Sequence, residues 1–427
     1  HDGRLWGAAD SLGTVGVLPA DAVTLAEHLA HAGYRTAGFV ANPWLAAAYG
    51  FDQGFAVYEE LFGTAKTRAD TVLEVADHWL AGQSKTPWFA YVHLMDVHGP
   101  YDAPDTFVDR VRAAAAVDTL VALDRREVNA IPAYLRDQPW ATGWDQYRLH
   151  TWRARYAAGV AWVDETLGRT LDAWTSAGFL ENTIVIITSD HGEELFDQGG
   201  WDHGKTLYEE QVRVPLLLRL PGGRSASAVS NPVRLIDLLP TLLDLLDLEA
   251  PAGAMGRSLA PLWRGQTLPP APVFFTATRE QPEAVGLVWN RWKVLSPAGG
   301  AAPAVYTLAP DPDARRNVTL VKPALGESLA SHQHPANLRR AGADLHQLGI
   351  AEDPGHRRIV QKARAAHRLY RLMRLHHCLF RGVETARRGV LPRYFAAIAG
   401  LCHLVNVSSG RIHRRVHVGD LALHQLE

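Results

Sequence analysis

The stretch Thr183-Ile-Val-Ile-Ile-Thr-Ser-Asp-His-Gly-Glu193 decides how this chain folds. Its first six residues have the uninterrupted β-branched character of a strand that is buried on both faces, which is typical of a parallel sheet covered by helices. Asp190 and His191 follow at the carboxyl end of that strand. Because side chains at this end of an open α/β sheet converge on a crevice, the sequence predicts a functional site there.

Asp190 and His191 carry donor atoms that suit a divalent metal ion. A carboxylate oxygen and a neutral imidazole are both suitable ligands for such a cation. Further along the chain, His203-Gly-Lys205 adds a second imidazole and an ammonium group able to hold an oxyanion as a point charge. An Asp-His pair after a strand is also compatible with a helix cap beside a surface histidine, so the pair alone leaves both interpretations open.

The longer string resembles the sulfatase branch of the alkaline phosphatase superfamily. Members of this family carry such a strand followed by Ser-Asp-His-Gly-Glu, His-Gly-Lys, Tyr-Glu-Glu and Val-Pro-Leu, and this sequence has them at 189–193, 203–205, 208–210 and 214–216. The resemblance covers about Leu18 to Val318. It implies an α/β fold with an alkaline-phosphatase-like, mostly parallel sheet covered by helices, and a small C-terminal antiparallel subdomain.

The resemblance also implies roles for particular side chains. Asp190 and His191 would bind a divalent metal. Calcium is favoured, and manganese or zinc stays open because an Asp-His pair stands where many calcium sulfatases have Asp-Asn. Lys205 would stabilise the non-bridging oxygens of the ester, and His98, in a His-Gly-Pro-Tyr loop, would protonate the departing alcohol. His203 would either contact the substrate or bind a second metal ion.

The nucleophile of the family has no counterpart in the early part of this sequence. Family members have an amino-terminal strand ending in Asp ligands and then a Cys/Ser-x-Pro-x-Arg motif, and neither occurs before the first matching helix. The two cysteines are Cys378 and Cys402. We therefore expect an amino-terminally incomplete chain that is inactive as it stands. Without that strand, the sheet would contain an apolar slot that is costly unless another segment fills it.

Composition narrows the possible partners. The net charge of -2 argues against a general affinity for nucleic acid or membranes, and the sequence contains no apolar run long enough to span a bilayer. The sequence predicts three parts: a sulfatase-like α/β domain at 1–265, a small antiparallel subdomain at 266–320, and a basic extension at 321–427 to which we assign no function. Oligomeric state and compartment stay open.

The sequence thus predicts a sulfatase-family hydrolase that uses a divalent metal to cleave a sulfate ester of a small molecule or glycan. One alternative is a phosphodiester or phosphonate monoester hydrolase on the same scaffold. Another is a non-catalytic binding protein that retains the fold.

Overall fold

The computed structural model describes most of the chain up to residue 308 and two short segments near its end. The described residues are 17–63, 65–83, 86–114, 146–195, 197–198, 201–204, 206–222, 226–229, 232–251, 253–254, 256–277, 284–289, 292–296, 303–308, 314, 401–406 and 420–423.

An eight-stranded sheet forms the centre of the described structure, with the strand order β2-β1-β3-β13-β4-β7-β14-β8. Its strands are β1 (Arg35–Val40), β2 (Val57–Glu60), β3 (Trp88–His93), β4 (Thr183–Thr188), β7 (Leu216–Arg219), β8 (Ala226–Ala228), β13 (Leu401–Asn406) and β14 (Asp420–Leu423). The pairings place β7 and β13 antiparallel to the other strands of this sheet. The described sheet is therefore mostly parallel, as predicted.

Helices cover both faces of this sheet. They are α1 (Leu25–His31), α2 (Ala69–Ala81), α3 (Asp105–Ala114), α4 (Gln146–Ser176), α5 (Glu209–Val212), α6 (Leu238–Leu245) and α7 (Ala260–Trp263). Short 3₁₀ turns lie at Pro43–Leu45, Ala47–Tyr49 and Leu235–Asp237. Within the described ranges, no helix combines the length and the hydropathy that crossing a bilayer requires.

The central strand β4 shows why the sheet has two covered faces. Val185 and Ile187 pack in one apolar cluster with residues of α2 and α4, whereas Ile184 and Ile186 pack in a second cluster with residues of β7 and α6. Each such side chain contributes roughly 1.5–3 kcal/mol when it is fully buried. The two-sided burial explains the continuous β-branched sequence of the strand.

Strand register brings the ends of β1, β3 and β4 to one edge of the sheet. Val40 pairs with His93, and Leu401 at the start of β13 pairs with both His93 and Thr188. The loops that leave β3 and β4 therefore start at the same level. This alignment places the segment after His93 beside the segment after Thr188.

Strand β13 lies in the middle of the sheet, between β3 and β4. It is antiparallel to both, although β3 and β4 run in the same direction. The ladder from Leu401 to Asn406 supplies hydrogen-bond partners to the facing edges of both neighbours, which would otherwise be unpaired. A segment of the basic extension thus completes the centre of the described sheet.

A second, four-stranded antiparallel sheet follows in the order β12-β11-β10-β9. Its strands are β9 (Val273–Ala277), β10 (Ala284–Trp289), β11 (Trp292–Ser296) and β12 (Ala304–Thr307). Lys293 on β11 is fully buried, and its ammonium forms an ion pair with Glu209 at the start of α5. The pair joins the small sheet to α5. The positions of the domain boundaries remain a prediction.

Candidate functional site

The candidate site lies where β3 and β4 end. Two short strands, β5 (Glu194–Leu195) and β6 (Trp201–Asp202), pair antiparallel directly beyond β4, with Glu194 opposite Asp202. This hairpin turns the chain back, so that the residue after β6, His203, returns to the residues that follow β4. The loop after β3 contributes His98 to the same place.

Three of the predicted site histidines form one cluster in the structure. The ring centroids of His191 and His203 are 4.1 Å apart, and those of His98 and His203 are 5.2 Å apart. The Asp190 carboxylate lies beside His191, with Oδ2 3.8 Å from Nε2. Asp190, His191, His203 and His98 are therefore brought together, while Lys205 lies outside the described residues.

Hydrogen bonds assign the same tautomer to each neutral ring of this cluster. His98 Nδ1 is 2.7 Å from the carbonyl oxygen of Gly99, and His191 Nδ1 is 2.8 Å from that of Gly192. His203 Nδ1 is 2.9 Å from Glu193 Oε1. Because a carbonyl or carboxylate oxygen only accepts, each Nδ1 must carry the proton. In each neutral ring Nε2 then holds the lone pair that can bind a metal ion or accept a proton.

Glu193 links the two loops of the site. Its side chain is 7% exposed, and one carboxylate oxygen accepts from His203 while the other accepts from the Tyr101 hydroxyl at 3.0 Å. Tyr101 follows His98 in the loop after β3. Burial, and then the Glu193 charge, raise the pKa of Tyr101 well above its usual value, so its hydroxyl remains a donor. This chain of contacts fixes His203 relative to the His98 loop.

The charge states of the site follow from burial and from the neighbouring rings. Burial favours protonation of Asp190, but His191 and His93 outweigh it and lower the pKa of Asp190 below its usual value. The carboxylate is therefore ionised at neutral pH. Burial lowers the pKa of His98, and the nearby Glu193 carboxylate opposes that shift.

His93, the last residue of β3, is a further buried imidazole at this edge. It is 2% exposed, and its Nδ1 has no hydrogen-bond partner among the described residues. Burial lowers the pKa of His93 to about 4, so the ring is neutral near pH 7. A buried polar atom without a partner is costly, which fits a ring whose nitrogen binds a cation.

A second group of possible metal ligands lies next to these residues. Glu193, Asp202 and His203 each offer a ligand atom, and these atoms lie within 4.8 Å of one another. Asp202 Oδ1 is 3.3 Å from His203 Nδ1. Carboxylates and imidazoles together suit divalent cations such as manganese and zinc.

The sequence analysis missed Glu193, Asp202 and His93 as candidate site residues. Glu193 and Asp202 belong with the site because of the short β5–β6 hairpin, which gives no clear periodic signal. His93 ends an apolar strand and has the pattern of an ordinary strand residue. The sequence signal that could have identified His93 was an imidazole at the end of a buried strand.

A mostly parallel α/β sheet carries a cluster of one carboxylate and several imidazoles at its carboxyl edge, which is where open α/β sheets place their functional sites. The chain belongs to the sulfatase family. The sequence model described as Sulfatase matches residues 7–248, which is more than half of the chain. A second one, described as N-sulphoglucosamine sulphohydrolase, C-terminal, matches residues 197–319. Enzymes of this family are in general metal-dependent.

Similar curated proteins include human arylsulfatase K, which is 32% identical over 208 residues, or 46% of this chain and 39% of that protein. An N-acetylglucosamine-6-O-sulfatase of Bacteroides thetaiotaomicron is 38% identical over 117 residues, or 27% of this chain and 21% of that protein. The chain thus spans about two-fifths of human arylsulfatase K, and the match to the second relative is shorter still.

Solved structures confirm the alkaline-phosphatase-like architecture. A protein solved in complex with its substrate D-glucosamine-2-N,6-O-disulfate superposes with a TM-score of 0.59 at 20% identity, covering 79% of this chain and 87% of the other. The phosphonate monoester hydrolase of Agrobacterium radiobacter superposes with a TM-score of 0.56 at 20% identity, covering 82% of each chain. At these identities the similarity establishes the fold alone.

Proposed function

We propose that this chain forms the metal-binding and leaving-group side of a site that hydrolyses a sulfate ester of a small molecule or glycan. The observation that carries the proposal is the meeting of Asp190, His191, His203 and His98 at one sheet edge, with neighbouring rings 4.1 Å and 5.2 Å apart. The fold itself does not require these polar side chains, which come from two loops distant in sequence, to lie together. The binding of an anion and a cation would require it.

Asp190 and His191 are the residues that would hold the divalent cation. Asp190 is ionised, and His191 has its Nδ1 proton bound to a carbonyl, which leaves Nε2 as a ligand atom. Nδ1 of the buried His93, which has no hydrogen-bond partner among the described residues, also fits a nearby cation. A bound cation would polarise the ester oxygen. The resemblance favours calcium, but the concentration of imidazoles shifts our preference towards manganese or zinc.

His98 is proposed to protonate the departing alcohol. Its Nδ1 proton is held by the Gly99 carbonyl, so the transferable proton of the imidazolium is on Nε2. The lowered pKa of His98 makes that imidazolium a stronger acid than an exposed histidine. Lys205 is proposed to stabilise the non-bridging oxygens. For His203, the Glu193 contact at Nδ1 favours the role of a substrate contact through Nε2.

The attacking group is proposed to be a residue other than these. A reading-frame analysis tests this part: the coding sequence upstream of His1 should encode an Asp-rich strand and a Cys/Ser-x-Pro-x-Arg motif. A native start codon near His1 would contradict it and would favour a binding protein that retains the fold.

Turnover measurements test the reaction. The chain, expressed with any coding sequence that continues its frame upstream, should hydrolyse an aryl sulfate faster than an aryl phosphodiester or a phenylphosphonate monoester. Asp190→Asn should reduce that rate by at least about 10²-fold, as the loss of a key electrostatic group does. Much faster cleavage of either phosphorus ester would replace the sulfatase proposal with its alternative. Tight binding of sulfate without any turnover would support the binding protein.

A further inference from the structure

Lys66 lies in the segment between β2 and α2, far in sequence from the residues of the site. Its ammonium donates to three main-chain carbonyl oxygens, those of Asp96, His98 and Pro100, at 2.5–3.2 Å. The Asp102 carboxylate is 3.4 Å from the same nitrogen. The Lys66 side chain is only 10% exposed. One lysine therefore contacts four residues of the loop that carries His98.

This arrangement requires a cation. Three carbonyl oxygens that point at a common position repel one another, and they face inward here because an ammonium group satisfies them. The contacts differ from an ordinary surface salt bridge, which contributes little because water screens it. The compact ammonium of lysine offers three donors in a pyramid, whereas the planar guanidinium of arginine cannot match that geometry.

The loop held by Lys66 determines where His98 lies. Its Nδ1 hydrogen bond is to Gly99 of the same loop, and its ring is 5.2 Å from that of His203. On its other side the loop is joined to Glu193 through Tyr101. Trp162 Nε1 also donates to Asp96 Oδ1 of this loop at 2.9 Å. Among these anchors, the ammonium of Lys66 contacts the main chain at His98 and on either side of it.

We propose that Lys66 is a positioning residue, which holds the His98 loop in the conformation that presents the imidazole to the site. Its effect on turnover rests on the proposed function, but its effect on the His98 ring does not. Without the ammonium, the three carbonyls should turn towards water and carry His98 with them. A displacement of about 1 Å can cost about 10²-fold in rate.

The test compares Lys66→Ala, Lys66→Met and Lys66→Arg with a matched control, Arg68→Met. Arg68 is an exposed cation two positions away, before α2, so its removal changes the local charge without touching the loop. We expect the two neutral variants of Lys66 to change the nitrogen NMR signals of the His98 ring and to lower kcat about 10²-fold with little change in KM. The arginine variant should restore neither the His98 signals nor kcat. The Arg68→Met control should match the wild type in both.

Chemical rescue separates positioning from a general loss of structure. Methylammonium should partly restore kcat and the His98 signals of Lys66→Ala, because it can place an ammonium among the carbonyls, while tetramethylammonium, which has no N–H donor, should not. Unchanged His98 signals in the neutral variants, or equal effects of both ions, would overturn the proposal. If Lys66→Ala does not fold, the signals of Lys66→Met decide. All turnover is measured on the chain expressed with any coding sequence that continues its frame upstream. If that wild type shows no turnover, the proposed reaction fails and the NMR signals still test the positioning.

Discussion

Acidification should destabilise the protein through His93. The imidazole is 2% exposed at the end of β3, and burial lowers its pKa from 6.5 to about 4. The Asp190 carboxylate opposes this shift, and the imidazoles of His98 and His191 add to it. Between these two values the unfolded chain binds a proton that the folded chain does not. Stability is therefore fully present above the unfolded pKa and is lost as the pH falls towards 4.

The size of this effect follows from the difference between the two pKa values. The pKa of His93 falls from 6.5 to about 4, and because one pKa unit corresponds to about 1.36 kcal/mol, the difference amounts to about 3 kcal/mol of unfolding free energy. His93→Phe keeps a ring in the buried position and removes the titrating nitrogen. The variant should therefore lack this part of the pH dependence.

The assay is urea unfolding of both proteins in chelator-treated buffer at about pH 7 and at about pH 4. The difference between wild type and His93→Phe should change by about 3 kcal/mol between the two conditions, with the wild type losing more. Parallel losses in the two proteins would refute the reasoning, because they would show that His93 is not a buried neutral imidazole.

Three further predictions concern contacts that hold the site and the sheet. Glu193→Gln and Tyr101→Phe should each lower the unfolding free energy by about 1–3 kcal/mol. They share one hydrogen bond, so a double-mutant cycle should show coupling, and strict additivity would contradict the contact. Lys293→Met should cost about 3–5 kcal/mol in urea unfolding because it leaves the Glu209 carboxylate buried without its ammonium. Glu209→Gln in the same chain should recover much of the loss, and no recovery would argue against the pair. Leu404→Pro should cost about 1–3 kcal/mol by removing a ladder hydrogen bond of β13, and unchanged hydrogen exchange in β3 and β4 would contradict its central placement.

The central strand β4 could be predicted to the residue from the sequence. Ile184 and Ile186 face one apolar cluster and Val185 and Ile187 the other, so a single local rule, continuous β-branched character, carries the whole signal. The segment after it could be recognised as a candidate site because a carboxylate and an imidazole follow a buried strand. Local sequence is sufficient where one short stretch contains both the structural and the chemical pattern.

Helix boundaries were harder to predict. Apolar residues recur at helical spacing from Tyr156 to Trp174 and indicate a helix over that stretch, but α4 begins at Gln146. Its early turns are held by partners distant in sequence: the Arg153 guanidinium donates to the Leu195 carbonyl oxygen at 3.0 Å. Such contacts override local propensity, and one sequence does not contain them.

The middle of the sheet could not be predicted. Strand β13 pairs with β3 and β4, more than 200 residues earlier in the chain, and its sequence contains His403 and lies in a strongly basic region. Four of its six residues are apolar, but nothing local indicates that the segment inserts between β3 and β4. The same limit applies to Lys66, since a single lysine in a loop is normally solvated. Only the three-dimensional structure shows that the Asp96, His98 and Pro100 carbonyls surround it.

The most direct test of the account is the position of a bound metal ion. Crystals soaked in a manganese salt, with diffraction measured at the manganese absorption edge, should show an anomalous peak within coordination distance of Asp190 and of His191 Nε2, and Asp190→Asn should abolish it. A peak bound only by Glu193, Asp202 and His203, or no peak at the carboxyl edge of the sheet, would contradict the proposal that Asp190 and His191 hold the catalytic cation.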